Sequence, residues 1–498
     1  MSLPVLSPPH HAAPPEFGDL LKEKCGVFGT WGHETPALAT YLGLFSLQHR
    51  GQESAGIAAT DGHRIERTTG MGLVSQVFPE HQVHRLDAVA HERTEEFGAV
   101  GGAIGHNRYS TTGASRAENA QPFVSAYKGG PVAIAHNGNL INALRIRRRL
   151  EDEGHAFAST SDTEVVLTLL AALSQTGCDD PVGEALRQFQ GAFSVVMLFK
   201  DRIEIARDPQ GWRPLVIGRT ESGALVAASE TVALDVAAAR LIREVEPGEI
   251  VTLSDEGLSS RRFADASAPH AHCVFEHVYF ASPASTVFGS NVQMVRERLG
   301  ERLAIEAPAD ADIVVPMPDS GRSAATGYAM RSGLPYREGI IPNRYVGRTF
   351  IKPTGEERAA AVRLKLNIIA DVVRDKRVVI VDDSIVRGTT TRAKMDQLRA
   401  AGAKEIHLRI SCPPIRHPCY FGVDFPDREQ LVAHGRDVEQ IRALLNVDSV
   451  GYLSIEGMLE VVGTAEVPGS HYCAACFSGR YPIELDESLR HEALHHNC

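Results

Sequence analysis

The chain is poor in cysteine for its length, with eight in 498 residues, and that density excludes a disulfide framework. Long hydrophobic runs are missing too. The longest, around residues 165–173, falls far short of the roughly 20 residues that cross a bilayer, so no membrane span is expected. Positive charge is scarce: the net charge is −11, and no basic stripe is available to track nucleic acid. The one basic cluster, Arg145 with residues 147–149, has Ile146 and Leu150 interleaved and reads as a solvated helix face. Residues 1–24 are rich in Pro, His and Ala and lack the apolar stretch of at least ~7 residues that a secretory signal needs. A P-loop, G-x-x-x-x-G-K-[ST], is absent as well. What survives these exclusions is a cytoplasmic protein of two or three domains that acts on small molecules.

What is present is organised around residues 378–392, VVIVDDSIVRGTTTR. Four consecutive β-branched residues, 378–381, predict a fully buried strand of a parallel sheet. Asp382 and Asp383 follow at its C-terminal end, where open α/β sheets bind ligands. Next come Gly388 and the hydroxyls of Thr389, Thr390 and Thr391. A helical pattern with Met395 and Leu398 on one face then runs to Gly402, a helix C-cap. Small residues and backbone N–H groups at a helix N-terminus make an anion site. An acidic pair one turn earlier suits a sugar diol or a bound Mg²⁺. No G-x-G-x-x-G lies in this turn, which argues against a dinucleotide. The implied ligand is a phosphorylated sugar.

The N-terminal half carries short polar stretches of another kind. They are Cys25-Gly-Val-Phe, His49-Arg-Gly-Gln-Glu-Ser-Ala-Gly56, Gly105-His-Asn-Arg-Tyr-Ser-Thr111, His136-Asn-Gly-Asn139 and Ser161-Asp-Thr-Glu164. Taken alone, Asn137-Gly138 reads as a type I′ hairpin turn. Ser161 and Glu164 fit a capping box before an apolar helix, which leaves Asp162 free for a substrate. From Phe193 to Leu253 the runs SVVMLF, RIEIAR, PLVIG, ALVAAS and GEIVTL alternate with turns, as antiparallel strands do. The sequence turns polar and small around residues 254–272, which places a domain boundary near 260. Beyond it strand and helix alternate, with a strand at 313–315, a Pro316-Met-Pro-Asp-Ser-Gly-Arg322 loop and a helix ending at Gly333.

Together these five stretches resemble the class II glutamine amidotransferases over roughly residues 25–255. The resemblance implies an N-terminal-nucleophile (αββα) fold, two antiparallel sheets between helical layers, with Cys25 as nucleophile. Removal of residues 1–24 as a propeptide would free the α-amino group of Cys25, whose pKa near ~7.7–8.0 suits a base at neutral pH. The resemblance further implies that the Asn137 side chain and the Gly138 N–H form the oxyanion hole. Arg108 would pair with the glutamine α-carboxylate, and Asp162 would hold its α-ammonium. Residues 378–392 are similar to the phosphoribosyl-pyrophosphate (PRPP) signature of the type I phosphoribosyltransferases, an α/β fold with a parallel sheet. That implies Asp382 and Asp383 on the ribose hydroxyls and metal, with Ser384, Arg387, Gly388 and Thr389–Thr391 around the 5′-phosphate. The 316–322 loop would meet pyrophosphate, with Ser320 a Mg²⁺ ligand beside the two aspartates. Residues 345–367 resemble that family's catalytic loop, in which Arg348, Lys352, Arg363 and Lys365 would screen pyrophosphate.

The two domains in one chain, 25–260 and 261–498, resemble the amidophosphoribosyltransferase family. The implied activity is ammonia release from glutamine and its transfer to PRPP, at the first committed step of purine synthesis. Purine nucleotide inhibitors and a homotetramer are further implications of the resemblance. The alternatives are a non-catalytic PRPP-sensing regulator and a glutaminase serving another acceptor. Cys473-Ala-Ala-Cys476 with two distant thiolates would make a Cys₄ site, and spacing alone does not choose between zinc and iron–sulfur. One branch of the family carries a [4Fe–4S] cluster in stretches like HCVFE, HPCYFG and CAACFSGRYP. Through that resemblance the expected ligands are Cys273, Cys419, Cys473 and Cys476.

Overall fold

Alternation along a strand decides the architecture of the N-terminal half. In GVFGTW, Val27 and Phe28 point to opposite faces, yet neither is exposed, so this sheet is covered on both sides. In the computed structural model, which describes residues 25–109, 116–343, 366–423, 425, 428–486 and 489–490, the strands run as follows. They are β1 Gly26–Trp31, β2 Ser54–Thr60, β3 Ile65–Met71, β4 Gly102–Arg108, β5 Phe123–Tyr127, β6 Gly130–Leu140, β7 Gly191–Phe199, β8 Arg202–Arg207, β9 Val216–Thr220, β10 Leu225–Ala228, β11 Ala239–Glu244, β12 Glu249–Ser254 and β13 Gly257–Arg262. Residues 1–24, Ser110, Thr111, Arg348, Lys352, Arg363 and Lys365 lie outside the described residues.

One sheet has seven strands in the order β11-β9-β10-β1-β4-β2-β3, and the other six in the order β13-β12-β8-β7-β6-β5. Val27, Ile104, Ala133, Val196 and Ile205 fill the space between them. Helices Pro36–Ser46 and Glu80–Phe97 cover the first sheet through Leu44, Leu86 and Ala90. Helices Ala143–Asp152, Asp162–Gln175 and Pro181–Gln188 cover the second through Leu150, Val166 and Leu186. The result is the αββα sandwich. The antiparallel runs between Phe193 and Leu253 are strands, but they divide between the sheets, β7, β8 and β12 on one and β9 and β10 on the other. β13 pairs with β12 as far as Arg262, so the chain leaves this sheet just past residue 260.

The C-terminal half contains a parallel sheet of β14 Ile313–Pro316, β15 Arg377–Asp382, β16 Glu405–Ile410 and β17 Ser449–Tyr452, side by side in that order. Residues 378–381 are wholly buried, as a central parallel strand requires. Helix Thr389–Ala400 follows β15, with Met395 and Leu398 inward. Helices Val292–Glu306 and Arg322–Ser332 cross with their backbones almost touching. A Cβ on Gly300 would lie 1.9 Å from the Ala324 carbonyl oxygen, and one on Gly327 would lie 1.8 Å from that of Glu297. The obstacle is backbone on both sides, so no rotamer change relieves it. Gly300→Ala should therefore cost about 1–3 kcal/mol by overpacking, read as a lower midpoint in urea unfolding followed through the C-terminal domain; an unchanged midpoint would show that the crossing widens freely.

Candidate active sites

Cys25 is the first described residue and sits at the head of β1. Its thiol donates to the Tyr109 carbonyl, 3.8 Å away. β1 pairs with β4 so that Gly26 faces Asn107, and a Cβ on Gly26 would meet the Asn107 Oδ1 at 2.3 Å. Asn107 is held by its own amide, which donates to the carbonyls of Leu44 (3.1 Å) and Leu47 (2.8 Å). The His-Arg-Gly-Gln-Glu turn closes over the same strand. A Cβ on Gly51 would sit 2.6 Å from the Asn107 carbonyl group, so only glycine lets this turn lie flat on β4. Arg108, at the end of β4, is buried and ion-pairs with Glu53 at 3.4 Å.

The second sheet brings up the remaining residues. His106 on β4 pairs through Nε2 with the His136 carbonyl at 3.1 Å, tying β4 to β6 across the sandwich. Asn137 and Gly138 are not a hairpin turn: they lie within β6, opposite Ser194 and Phe193 of β7. The register explains the glycine, because a Cβ there would fall 1.9 Å from the Ala192 carbonyl oxygen. Asn137 is fully buried, and neither its Nδ2 nor its Oδ1 has a hydrogen-bond partner among the described residues. A buried amide left unpaired costs about 1–3 kcal/mol, which marks this side chain as one that a ligand completes. Asp162 begins helix Asp162–Gln175, capped by the Ser161 hydroxyl on the Thr163 N–H. Glu164 does not complete a reciprocal capping box; it accepts from Ala158 and Ser159 instead. Asp162 accepts from the Leu140 N–H at 3.1 Å and faces His136 Nδ1 at 3.6 Å. Burial acts to raise its carboxyl, but His136 and hydrogen bonds from Leu140 and Thr163 outweigh burial and hold it low. A buried, ionised carboxylate is a seat for an ammonium group.

In the other domain, Asp382 ends β15 and Asp383 follows it, both buried. The Asp383 N–H donates to Asp382 Oδ1 at 2.9 Å, and the Ser384 hydroxyl donates to Asp383 at 2.5 Å. Ser320 also hydrogen bonds to Asp383. Gly321 makes that contact possible: a Cβ there would meet the Val381 carbonyl oxygen at 2.4 Å, so PDSG is fitted against the acidic pair and is more than a turn. Gly388, with φ 82°, caps the helix that Thr389, Thr390 and Thr391 begin. Ile385 and Val386 are buried and anchor the loop from below. Arg387 hydrogen bonds to Gln430 at 3.2 Å. Burial first, and then the partner's charge, push Asp382 well above the carboxylate range. Burial likewise raises Asp383, against Ser320, Ser384 and the nearby Arg296.

A family model for a glutamine amidotransferase domain matches residues 106–236. The chain is 46% identical to the amidophosphoribosyltransferase of Methanothermobacter thermautotrophicus over 96% of this chain and 98% of that one. It is 47% identical to the enzyme of that name from Synechocystis, over 97% of this chain and 95% of that one. A solved glutamine PRPP amidotransferase from B. subtilis, complexed with ADP and GMP, superposes with a TM-score of 0.85 at 44% identity, covering 93% of this chain and 98% of that chain. This chain belongs to the amidophosphoribosyltransferase family. It is an enzyme of that type, and amidophosphoribosyltransferases open the committed route to purines.

Within that family fold the cysteines form a second constellation. Cys273 and Cys473 are register partners in a short parallel pairing of His272–Cys273 with Tyr472–Cys473. Cys419 and Cys473 pack together with Trp212, Tyr420 and Phe421. Cys476 lies close enough to Cys419, Cys473 and Cys273 for their charges to act on its thiol. Among the described residues, none of the four is in a disulfide. Cys412 is fully buried in the parallel-sheet core with its thiol on the Pro413 carbonyl at 3.3 Å, and its charge also reaches Cys476. Among the described residues, no three His, Cys, Asp or Glu side chains converge tightly enough for a single ion. No described helix is long and apolar enough to cross a membrane. Sequence reasoning missed Glu53, His136 and Arg296; Glu53 and His136 stood inside the quoted motifs, whereas Arg296 carried no local signal.

The acidic pair generates a test of its own. Because both carboxyls are held high, a divalent cation must displace proton as it binds, and its affinity should rise with pH. Calorimetric titration with Mg²⁺ in two buffers of different ionisation enthalpy should show net proton release. Absence of release would mean that both carboxylates are already ionised.

Proposed function

We propose that glutamine is hydrolysed at Cys25 and that the ammonia attacks C1 of PRPP, giving 5-phosphoribosylamine, pyrophosphate and glutamate. The reading rests on one observation above the rest: a buried Asn137 amide with no partner among the described residues and the Cys25 thiol at the head of β1 share a chain with an acidic pair at the end of a parallel strand. Cys25 attacks the carboxamide carbon after loss of residues 1–24, its freed α-amine taking the thiol proton and later giving it to the leaving ammonia. The Asn137 side-chain amide and the Gly138 N–H donate to the developing oxyanion. Arg108 exchanges Glu53 for the substrate carboxylate, and Asp162 holds the ammonium.

Asp382 and Asp383 bind the ribose diol, and Ser384, Arg387, Gly388 and Thr389–Thr391 hold the 5′-phosphate at the helix N-terminus. Ser320 with the two aspartates would hold Mg²⁺, which when bound neutralises charge on the departing diphosphate. Arg348 and Lys352 would add positive charge to the same group. Purine nucleotide inhibition, as the B. subtilis complex with ADP and GMP suggests, and a tetramer complete the reading.

Cys273, Cys419, Cys473 and Cys476 fit a [4Fe–4S] cluster. Burial pushes the Cys473 thiol up to about 12 and raises Cys476 well above the usual thiol range, so these two sulfurs are anionic only when metal is bound. A side-chain hydrogen bond from Trp212 eases ionisation of Cys473, as a donor to a bound thiolate does. When bound, the cluster supplies a cross-link among three chain segments.

Two experiments bear on this. Cys25→Ala should abolish pyrophosphate release from PRPP with glutamine but leave it with ammonia, and active wild type should have the mass of a chain beginning at Cys25. Full glutamine activity in a chain that retains residues 1–24 would remove the α-amine from the mechanism. Cys419→Ser should lose iron and sulfide, whereas Cys412→Ser should keep both at a stability cost of about 1–3 kcal/mol for the buried hydroxyl. The reverse pattern would move the ligand to Cys412, and zinc without iron in anaerobically purified protein would refute the cluster.

A further inference from the structure

At the C-terminal edge of the parallel sheet stands a cation to which the chemistry above gives no role. Arg322 directly follows the Pro-Asp-Ser-Gly loop and opens helix Arg322–Ser332. That loop is laid across the end of β15. The Met317 N–H donates to the Val381 carbonyl at 2.8 Å, and the Gly321 N–H returns to the Met317 carbonyl at 2.9 Å. A Cβ on Gly321 would lie 3.2 Å from the Asp382 Cα, so Arg322 is one residue away from the backbone of the acidic pair. On the other edge of β14, segment 335–337 runs parallel to it. The Val314 N–H donates to the Pro335 carbonyl and the Arg337 N–H to the Val314 carbonyl, both at 2.9 Å. Tyr336 and Glu338 of this segment face the Arg322 guanidinium.

Two carboxylates hold Arg322. Its Nε donates to Asp319 at 3.1 Å, and its Nη1 donates to Glu338 Oε1. The hold of Asp319 is shallow: Arg322 is 38% exposed and Asp319 77%, and an ion pair in water contributes little. Glu338 can release the arginine without being left bare. Its Oε1 also accepts from the Tyr336 hydroxyl at 2.9 Å, so a donor stays behind. Burial and the Glu338 carboxylate push Tyr336 up to about 12, which keeps that hydroxyl protonated at neutral pH. Glu338 Oε2 is buried with no hydrogen-bond partner among the described residues. A carboxylate with one dry, unpaired oxygen is a weak rival to a ligand that offers several charged oxygens at once.

We propose that Arg322 binds the diphosphate of PRPP and that Glu338 is a positioning residue that holds the guanidinium back until a diphosphate arrives. A phosphoryl group presents pairs of oxygens that match the planar guanidinium fork. Exchange of Asp319 and Glu338 for such a pair places the charge of Arg322 on the group that leaves C1. The arrangement also selects among ligands. PRPP and pyrophosphate carry the group that Arg322 takes. A sugar with only a 5′-phosphate meets the turn at Thr389–Thr391 and leaves Arg322 on Glu338. This rests on the assignment of the acidic pair and the 316–322 loop to PRPP.

The test titrates the full chain calorimetrically, in Mg²⁺, with pyrophosphate and separately with ribose 5-phosphate, and follows ammonia-dependent synthesis in parallel. Arg322→Met should weaken pyrophosphate about 10-fold or more, the loss of one charge-assisted contact. It should raise the KM for PRPP as well and leave ribose 5-phosphate unchanged. Arg322→Lys keeps the charge without the fork and should recover part of the loss. Glu338→Gln should tighten pyrophosphate in an otherwise wild-type chain and have no effect beside Arg322→Met, because its influence passes through the arginine. Pyrophosphate affinity unchanged in Arg322→Met, or tightening that persists in the double variant, would overturn the proposal. Equal weakening of both ligands, the mark of a disturbed helix, would overturn it too. Wild type that binds neither ligand would overturn the phosphoribosyl assignment and the proposal with it.

Discussion

Arg50, Glu230, Glu276 and Arg213 meet with none of their side chains exposed to solvent, and the joining of the two domains depends on that meeting. Charges buried singly are expelled from a fold, because desolvation outweighs what neutral surroundings return. Here each carboxylate has at least two cationic or hydrogen-bonding neighbours, on different segments. Burial works against the charge of Arg50, but Glu230 and Glu276 outweigh it and keep the guanidinium charged. Burial works likewise against Glu230, and Arg50 and His49 hold its carboxyl well below the usual range. Removing one member of such a set leaves the others buried and uncompensated, at a cost of about 3–5 kcal/mol. Geometry at the seam is therefore fixed more tightly than an apolar contact of the same size would fix it.

A second seam runs beside the first. Asn139, two residues beyond Asn137 on β6, donates its amide to the Tyr420 carbonyl at 2.7 Å. Arg213 reaches with its other nitrogen to the Phe421 carbonyl, also at 2.7 Å, and the Trp212 ring stacks on Phe421 at 4.4 Å between centroids. Tyr420 and Phe421 directly follow Cys419. The strand that carries the buried amide and the segment that carries the cysteine are thus fastened to each other through main-chain carbonyls. Side-chain donors on one domain and backbone acceptors on the other make a joint whose register a shift of one residue would destroy.

Local signals made much of this legible in the sequence. The β-branched run 378–381, the aspartates behind it and the threonine-led helix were read correctly because each depends on neighbours in the chain. The antiparallel runs after Phe193 were visible as strands, whereas their division between two sheets was not, since sheet membership is set by pairing at long range. Asn137-Gly138 misleads for a related reason. The dipeptide suits a tight turn, but the glycine is required by the Ala192 carbonyl of the neighbouring strand, which only the register reveals. Glu230, Glu276 and Arg296 were illegible as partners. Each is an ordinary charged residue in its own window, and their meaning lies in separations of dozens to hundreds of residues.

The two sites use carboxylates in opposite electrical states, and the difference follows from what stands next to each. Asp162 is buried beside His136 and under the Leu140 N–H, so its charge is supported before any substrate arrives. It is prepared for a positive group and would gain little from a metal. Asp382 and Asp383 are equally buried, and desolvation raises both; the charge of Asp383 raises Asp382 further, whereas Ser320, Ser384, Asp382 and Arg296 act to lower Asp383. They are prepared for a ligand that brings its own cation or a diol to donate into them, and they are poor acceptors until it does. A single burial level therefore leaves one carboxyl held low and two others pushed high. The neighbouring residues decide which, and Arg296 is a cation whose charge tempers Asp383.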